Sequence, residues 1–340
     1  MVELTWPRPF ASEIEPVMPL EVDVAASGLC TWRVGGPLKI VVRPRNIAEL
    51  KAVSAALPVD VPTLVIGRGS NLLVADEGFA GLCIVLGGEF EALQIGHPNC
   101  DDEAGGAVVV VGGGALPLPV LARRAAAAGV TGLEFFVGIP GSVGGAVRMN
   151  AGGHGHDTSE VLIDCEVFDI VETAARVVTV NQAQFAYRRS AFGPTEIVTK
   201  ARFRGRAAPR EECETRIDEV VAWRRAHQPG GANAGSVFAN PEGDSAGRLI
   251  DAAGCKNMSV GGAVVSAKHA NFIQANRDAT ATDIYRLIDR VRTRVREIHG
   301  VELRSEVRCV GFEPLPETLP QRLPEHPPEH PPERGEELTT

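Results

Sequence analysis

No apolar run in this 340-residue sequence approaches the roughly 18 residues that a membrane-crossing helix requires; among the longest is Ala107 to Val111. The N-terminus begins Met-Val-Glu, without the basic and then apolar pattern of an export signal. Both absences predict a soluble, cytoplasmic protein. The seven cysteines are odd in number and scattered, and none forms Cys-x-x-Cys, so neither a disulfide frame nor a zinc site is indicated and no metal is expected. A block of basic residues is missing too, and with aromatics at 5% of the chain no Arg/aromatic interleaving offers a track for phosphates. A nucleic-acid role is therefore disfavoured.

What the chain does have is enough apolar material, 44%, for a large core, and a formal net charge of −9. That charge is uneven, because residues 313 to 340 carry seven Glu and two Arg, leaving −4 for the rest. The same tail contains Pro-Glu-His-Pro-Pro-Glu-His-Pro-Pro-Glu from 324, a composition that builds no core and predicts disorder. Its histidines, His326 and His330, have too little order around them to be read as metal ligands.

Along the body, β-like runs alternate with helical ones. Leu38 to Val42, Thr63 to Ile66, Cys83 to Leu86, Val108 to Val111, Val161 to Phe168 and Val301 to Val310 read as strands. Asn46 can cap a helix carrying Leu50, Val53 and Leu57, Pro117 to Ala128 stops at Gly129, and Ala246 to Ala253 stops at Gly254. Asp283 to His299 places Ile284, Leu287, Ile288, Val291, Val295 and Ile298 on one stripe. The break at Gly205-Arg-Ala-Ala-Pro-Arg210 marks a boundary. The expected organisation is an N-terminal extension over 1–20, one α+β domain over 21–205, a smaller one over 211–312 and the tail.

Two glycine clusters stand out. Val65-Ile-Gly-Arg-Gly-Ser-Asn-Leu-Leu-Val74 follows a strand but has Leu where a dinucleotide-binding fingerprint needs its third Gly, and no Gly-Lys-Ser/Thr makes it a P-loop. It reads as a strand, a tight turn and a second strand, the turn being either an ordinary β-turn or an anion holder. The second cluster puts seven glycines into positions 138 to 155. A solvated linker would not need its Ile139, Val143, Val147 and Met149. A backbone-lined cradle would, since a residue without Cβ lets a flat ring or a pyrophosphate come close to the main chain.

These pieces occur in an order that resembles the UDP-N-acetylenolpyruvoylglucosamine reductase family. The likeness runs through Thr31-Trp-Arg-Val-Gly-Gly-Pro37, Gly67-Arg-Gly-Ser-Asn-Leu-Leu73, Gly138-Ile-Pro-Gly-Ser-Val-Gly-Gly-Ala146 with Asn150, Tyr187-Arg-Arg-Ser-Ala-Phe192, Asn233-Ala-Gly-Ser-Val-Phe238 with Asn240-Pro241, Ala246-Gly-Arg-Leu-Ile-Asp251, Gly261-Gly-Ala263, His269-Ala-Asn-Phe-Ile273 and Glu306-Val307. Each piece is weak alone; the ordered set is specific.

The resemblance implies an α+β fold, with a PCMH-type FAD-binding domain of two subdomains followed by a smaller α+β substrate-binding domain. It implies FAD as cofactor, NADPH as hydride donor and UDP-N-acetylglucosamine enolpyruvate as substrate, in the making of peptidoglycan precursors for the cell wall, cell shape and division. No obligate protein partner, membrane or nucleic acid is called for. The FAD would lie against Arg33, Gly35, Gly67, Arg68, Gly69, Ser70, Asn71, Leu72, Gly138, Pro140, Gly141, Gly144, Gly145, Ala146 and Asn150. Arg188 would pair with the substrate carboxylate, Ser236 would give a proton, and Glu306 would complete the electrostatic site. Tyr187, Arg224 and Asn240 would contact substrate. Without the resemblance, Ser236 is a turn residue, Tyr187 a core or edge aromatic, and Glu306 one charge on a strand face with Glu302, Arg304 and Arg308.

Three positions depart from the family's usual pattern: Cys30 stands where Asn is common, His227 where Lys is often found, and Ala239 where Lys is frequent. Diphosphate contacts would then fall to Arg224 and Arg225. Only 48 positions separate Arg188 from Ser236, as in the family's shorter form, which lacks a mobile tyrosine-bearing loop. Two other readings stay open, a PCMH-type flavin oxidase acting on an alcohol or sugar, and a non-catalytic binder of nucleotide sugars.

Overall fold

The computed structural model describes residues 7–97 and 106–312; the proline-rich tail with His326 and His330 lies outside the described residues. Three sheets and a set of helices around them form the body. The first sheet runs in the order Leu20–Ala25, Pro37–Val42, Phe79–Ile84, Thr63–Val65, with the first pair antiparallel and the other two pairs parallel. Parallel neighbours need crossovers. One is the helix Ile47–Ala56, started by Asn46, whose side chain accepts from Glu49 N at 2.9 Å.

The second sheet is antiparallel, with the long strand Glu196–Ala207 between Leu162–Asp169 and Ala107–Gly113. On it pack the helix Leu118–Ala127, the glycine-bearing helix Val143–Met149 and the helix Arg210–His227, around Phe136, Val143, Val147 and Phe203, all fully buried. Val143 and Val147 are therefore core anchors, and the glycines between them are carried on a fixed element.

The third unit consists of the small sheet Ser259–Val260, Ala263–Val265 and Ile273–Ala275 under the helices Ala246–Ala252 and Ala281–His299. The longer helix begins with a reciprocal cap, Thr280 Oγ1 accepting from Asp283 N while Asp283 accepts from Thr280 N, and ends at Gly300 with φ 67°. Ile284, Leu287, Ile288, Val291 and Val295 from its apolar stripe are buried, whereas Ile298 is half exposed in the last turn.

Two boundaries depart from the sequence reading. The strand expected at Cys83 to Leu86 runs instead from Phe79 to Ile84, because Leu82, Cys83 and Ile84 pair with both neighbours; beyond it Val85 N still donates to Val42 O at 3.0 Å. The strand expected over Val301 to Val310 is only Arg308–Val310. Residues 301–307 instead run irregularly past the third unit, touching it by a bridge between Ser305 and Phe238. The apolar members of the alternation there, Val301, Leu303 and Val307, all pack on the core of the third unit without forming a sheet strand.

The segments that connect the strands of the first sheet fasten the third unit in place. Arg308–Val310 pairs in parallel with Leu72–Val74, so the end of the described chain lies beside the strand leaving the first glycine turn. Trp32 is buried among residues of the third unit, and its indole N–H donates to Ile273 O at 2.9 Å. Asp76 caps the long helix from outside, accepting from Ala281 N at 2.8 Å and Thr282 N at 2.9 Å. A carboxylate at a helix N-terminus satisfies orphan amides and complements the dipole, which is worth about 1–2 kcal/mol. Asp76→Ala should lower unfolding free energy by that amount in urea titrations of the FAD-loaded protein; an unchanged midpoint would show that this cap does not hold the two units together.

Candidate active site

The turn between Thr63–Val65 and Leu72–Val74 is held from behind. Thr31 N donates to Gly69 O at 3.1 Å, and Gly69, at φ 61°, packs its Cα against the carbonyl of Leu29, where a Cβ would collide. Among the described residues, the amides of Gly67, Arg68, Gly69 and Ser70 donate to no protein acceptor. Across from them, Ser142 caps the helix Val143–Met149, its Oγ accepting from Gly145 N at 3.3 Å. A Cβ on Gly67 would sit 2.5 Å from that hydroxyl oxygen.

Between these two loops opens a cavity of about 300 Å³, lined by residues 67–72, by Gly138, Pro140, Gly141, Gly145 and Ala146, and by Arg188, Arg224, Ser236 and Glu306. A second cavity of about 450 Å³ continues from it, sharing Gly67, Arg68, Ser142, Gly145, Arg148 and Arg308 and adding Thr31, Gly87, Gly114 and Gly144. The result is an elongated, glycine-walled cleft with undonated amides at its waist and several arginines along it, which suits a dinucleotide with a central pyrophosphate. The residues present fit FAD on these grounds.

Residue 306 ties the acidic and hydroxyl-bearing segments to the first loop. Glu306 N donates to Val237 O at 2.8 Å, directly after Ser236, and Glu306 O accepts from Asn71 Nδ2 at 2.9 Å. The side chain then meets Arg188, with Nε 3.4 Å from Oε1. The buried Nε has no aligned acceptor, so charge and not a directed hydrogen bond holds this pair. Burial pushes the Glu306 carboxyl above its ordinary value of 4.5, against the opposing pull of Arg188 and Arg304. Burial also lowers Arg224, and Arg148, which Arg308 lowers further by its like charge.

Five residues implied by the resemblance stand off both cavity walls. Arg33 is exposed at φ 59°, and Gly35 packs against Val74. Tyr187 is half exposed, with the Arg188 guanidinium over its ring at 5.3 Å. Asn240 Oδ1 accepts from Ala246 N at 3.0 Å, and Asn150 is buried in a network described below. Conversely, Ser142, Arg148, Asn233 and Arg308 line the cleft without having been singled out. Ser142 ahead of a helix was readable as an N-cap; Arg308 was hidden by its place in an apparently solvated alternation.

Comparison with known proteins agrees with this architecture. Residues 38–177 match the model described as an FAD binding domain, and residues 227–310 match that of the UDP-N-acetylenolpyruvoylglucosamine reductase C-terminal domain. The UDP-N-acetylenolpyruvoylglucosamine reductase of Methylorubrum extorquens is 45% identical over 84% of this chain and 90% of its own length, and that of Rhodopseudomonas palustris 42% identical over 87% and 90%. The crystal structure of the Thermus caldophilus reductase superimposes with a TM-score of 0.73 at 37% identity, covering 86% of this chain and 99% of that one. Fold and cleft thus define an FAD-dependent oxidoreductase with a PCMH-type cofactor domain and a separate C-terminal domain. The chain belongs to the UDP-N-acetylenolpyruvoylglucosamine reductase family.

A carboxyl whose pKa is higher in the folded than in the unfolded state weakens the fold above the folded pKa and not below the unfolded one. Replacing it with an amide removes that penalty. The melting temperature of Glu306→Gln minus that of the wild type should therefore be larger at pH 7.5 than at pH 4.5 by calorimetry; a difference that shrinks with pH would mean that Arg188 outweighs burial.

Proposed function

We propose that the protein reduces the enolpyruvyl group of UDP-N-acetylglucosamine enolpyruvate to UDP-N-acetylmuramate, with NADPH as electron source, in the cytoplasm. The observation that carries this reading is the convergence of Arg188, Ser236 and Glu306, from three distant segments, on the wall of a cavity whose opposite wall is the two glycine loops. Family membership supplies the substrate class.

Bound in the cleft, FAD would accept a hydride from NADPH and deliver it to the methylene carbon of the enolpyruvyl ether. The remaining double-bond electrons then move toward the adjacent carbon and its carboxylate. Arg188 meets that growing charge: its Nε already faces Glu306, leaving the terminal nitrogens of the guanidinium for the substrate carboxylate. Glu306 keeps the guanidinium directed into the cavity and prevents it from collapsing onto solvent anions. Ser236, exposed on the cavity wall directly before a backbone pinned to Glu306, gives its hydroxyl proton to the carbon, and water restores it. Arg224, buried enough to lose some hydration and braced by Gln228 at 2.9 Å, supplies positive charge for the diphosphate.

An anaerobic titration tests the whole reading. The purified yellow protein should bleach with NADPH and regain its colour on addition of the enolpyruvyl substrate; recolouring by oxygen alone would point to an oxidase, and a colourless protein that binds the sugar nucleotide to a non-catalytic binder. The proton role has its own test. In Ser236→Ala, bleaching should persist while recolouring by substrate slows by at least ~100-fold, the scale for losing a positioned acid. Equal slowing of both halves would remove Ser236 from that role.

A further inference from the structure

The turn that presents Arg188 does so from a disfavoured backbone. Arg188 lies at φ 55°, the left-handed region that a residue with a Cβ avoids, so something must hold it there. Ala186 and Arg189 exchange both main-chain hydrogen bonds, at 2.9 and 3.0 Å, which leaves Tyr187 and Arg188 at the tip of a two-residue turn. Each leg of this turn is tied to the end of the helix Val143–Met149. Asn150 Nδ2 donates to Ala186 O at 3.3 Å, and Ser190 Oγ donates to Arg148 O at 2.5 Å.

Asn150 is otherwise fully engaged. It ends the helix in the left-handed conformation at φ 42°, is only 3% exposed, donates to Asp157 Oδ2 at 3.1 Å and accepts from Ser159 N at 2.9 Å. It reaches neither cavity wall, yet Gly145, Ala146 and Arg148 of its own helix do. We propose that Asn150 and Ser190 are positioning residues that couple the glycine wall of the cleft to Arg188, fixing where the guanidinium stands relative to a group bound against that wall. A displacement of the turn by an ångström would leave the fold intact and misplace the charge.

The inference rests on the reading of Arg188 as the partner of the substrate carboxylate, and a double-mutant cycle separates the two. The rate at which reduced, FAD-loaded enzyme is reoxidised by UDP-N-acetylglucosamine enolpyruvate is measured for wild type, Asn150→Gly, Ser190→Ala, Arg188→Lys and the two double variants. Glycine is chosen because it adopts φ 42° without strain. Each positioning variant should slow reoxidation at least ~10-fold in the wild-type background and less than about twofold further beside Arg188→Lys, since Lys no longer offers the planar contact to be positioned. Loss of packing alone would slow both backgrounds equally. That equal slowing, or a wild-type rate within about twofold for both variants, overturns the proposal. A normal rate in Arg188→Lys overturns the reading of Arg188 and this proposal with it. Should Asn150→Gly fail to fold, Ser190→Ala carries the same cycle alone.

Discussion

A single residue position organises the candidate site. Glu306 binds the loop after Ser236 through its amide, the first glycine turn through its carbonyl, and Arg188 through its carboxylate. These partners come from all three packed units of the chain, so their relative placement depends on one short stretch of backbone that packs on the third unit. The parallel pairing of Arg308–Val310 with Leu72–Val74 continues that stretch and keeps it in register. A buried ion pair costs hydration that its attraction only partly returns, and here the cost is visible in the raised carboxyl of Glu306. Its effect is directional: the pair holds a cation at the wall of a cavity, where the proposed reaction would develop negative charge.

The glycine loops impose the complementary constraint. Gly69 sits where any side chain would strike Leu29, and Gly67 faces the capping hydroxyl of Ser142. Residues with unused amides then line a cleft whose length is set by the two adjoining cavities. In the proposed reading the cofactor side is mainly backbone, and the substrate side mainly arginine, hydroxyl and carboxylate. Such a division would let one rigid wall serve a flat, uncharged ring while the other manages charge.

Much of this was legible in the sequence, for identifiable reasons. Asn46, Thr280 and Gly300 announce helix ends through local chemistry, and the apolar stripe of the long helix has a strict period. The two glycine clusters stood out because glycine at such density has few other uses. The segment before Arg308 misled because alternation is ambiguous: Leu303 and Val307 are buried in the core of the third unit by an irregular chain, not by a sheet face. Arg33, Gly35 and Asn240 carry the marks of the family motif, but the structure shows each engaged with, or exposed on, its own scaffold. Contacts such as Asp76 with the long helix, over 200 positions apart, leave no local trace in a single sequence.

The central claim is spatial: a flavin ring lies against the two glycine loops, facing the side chains gathered by Glu306. A crystal structure of the FAD-loaded protein with the enolpyruvyl sugar nucleotide, grown without oxygen, measures this directly. The account predicts the ring between the 67–71 turn and the 138–145 segment, the substrate carboxylate on Arg188 and the Ser236 hydroxyl against the carbon beside that carboxylate. A flavin bound elsewhere, or a substrate whose carboxylate lies away from Arg188, would contradict it.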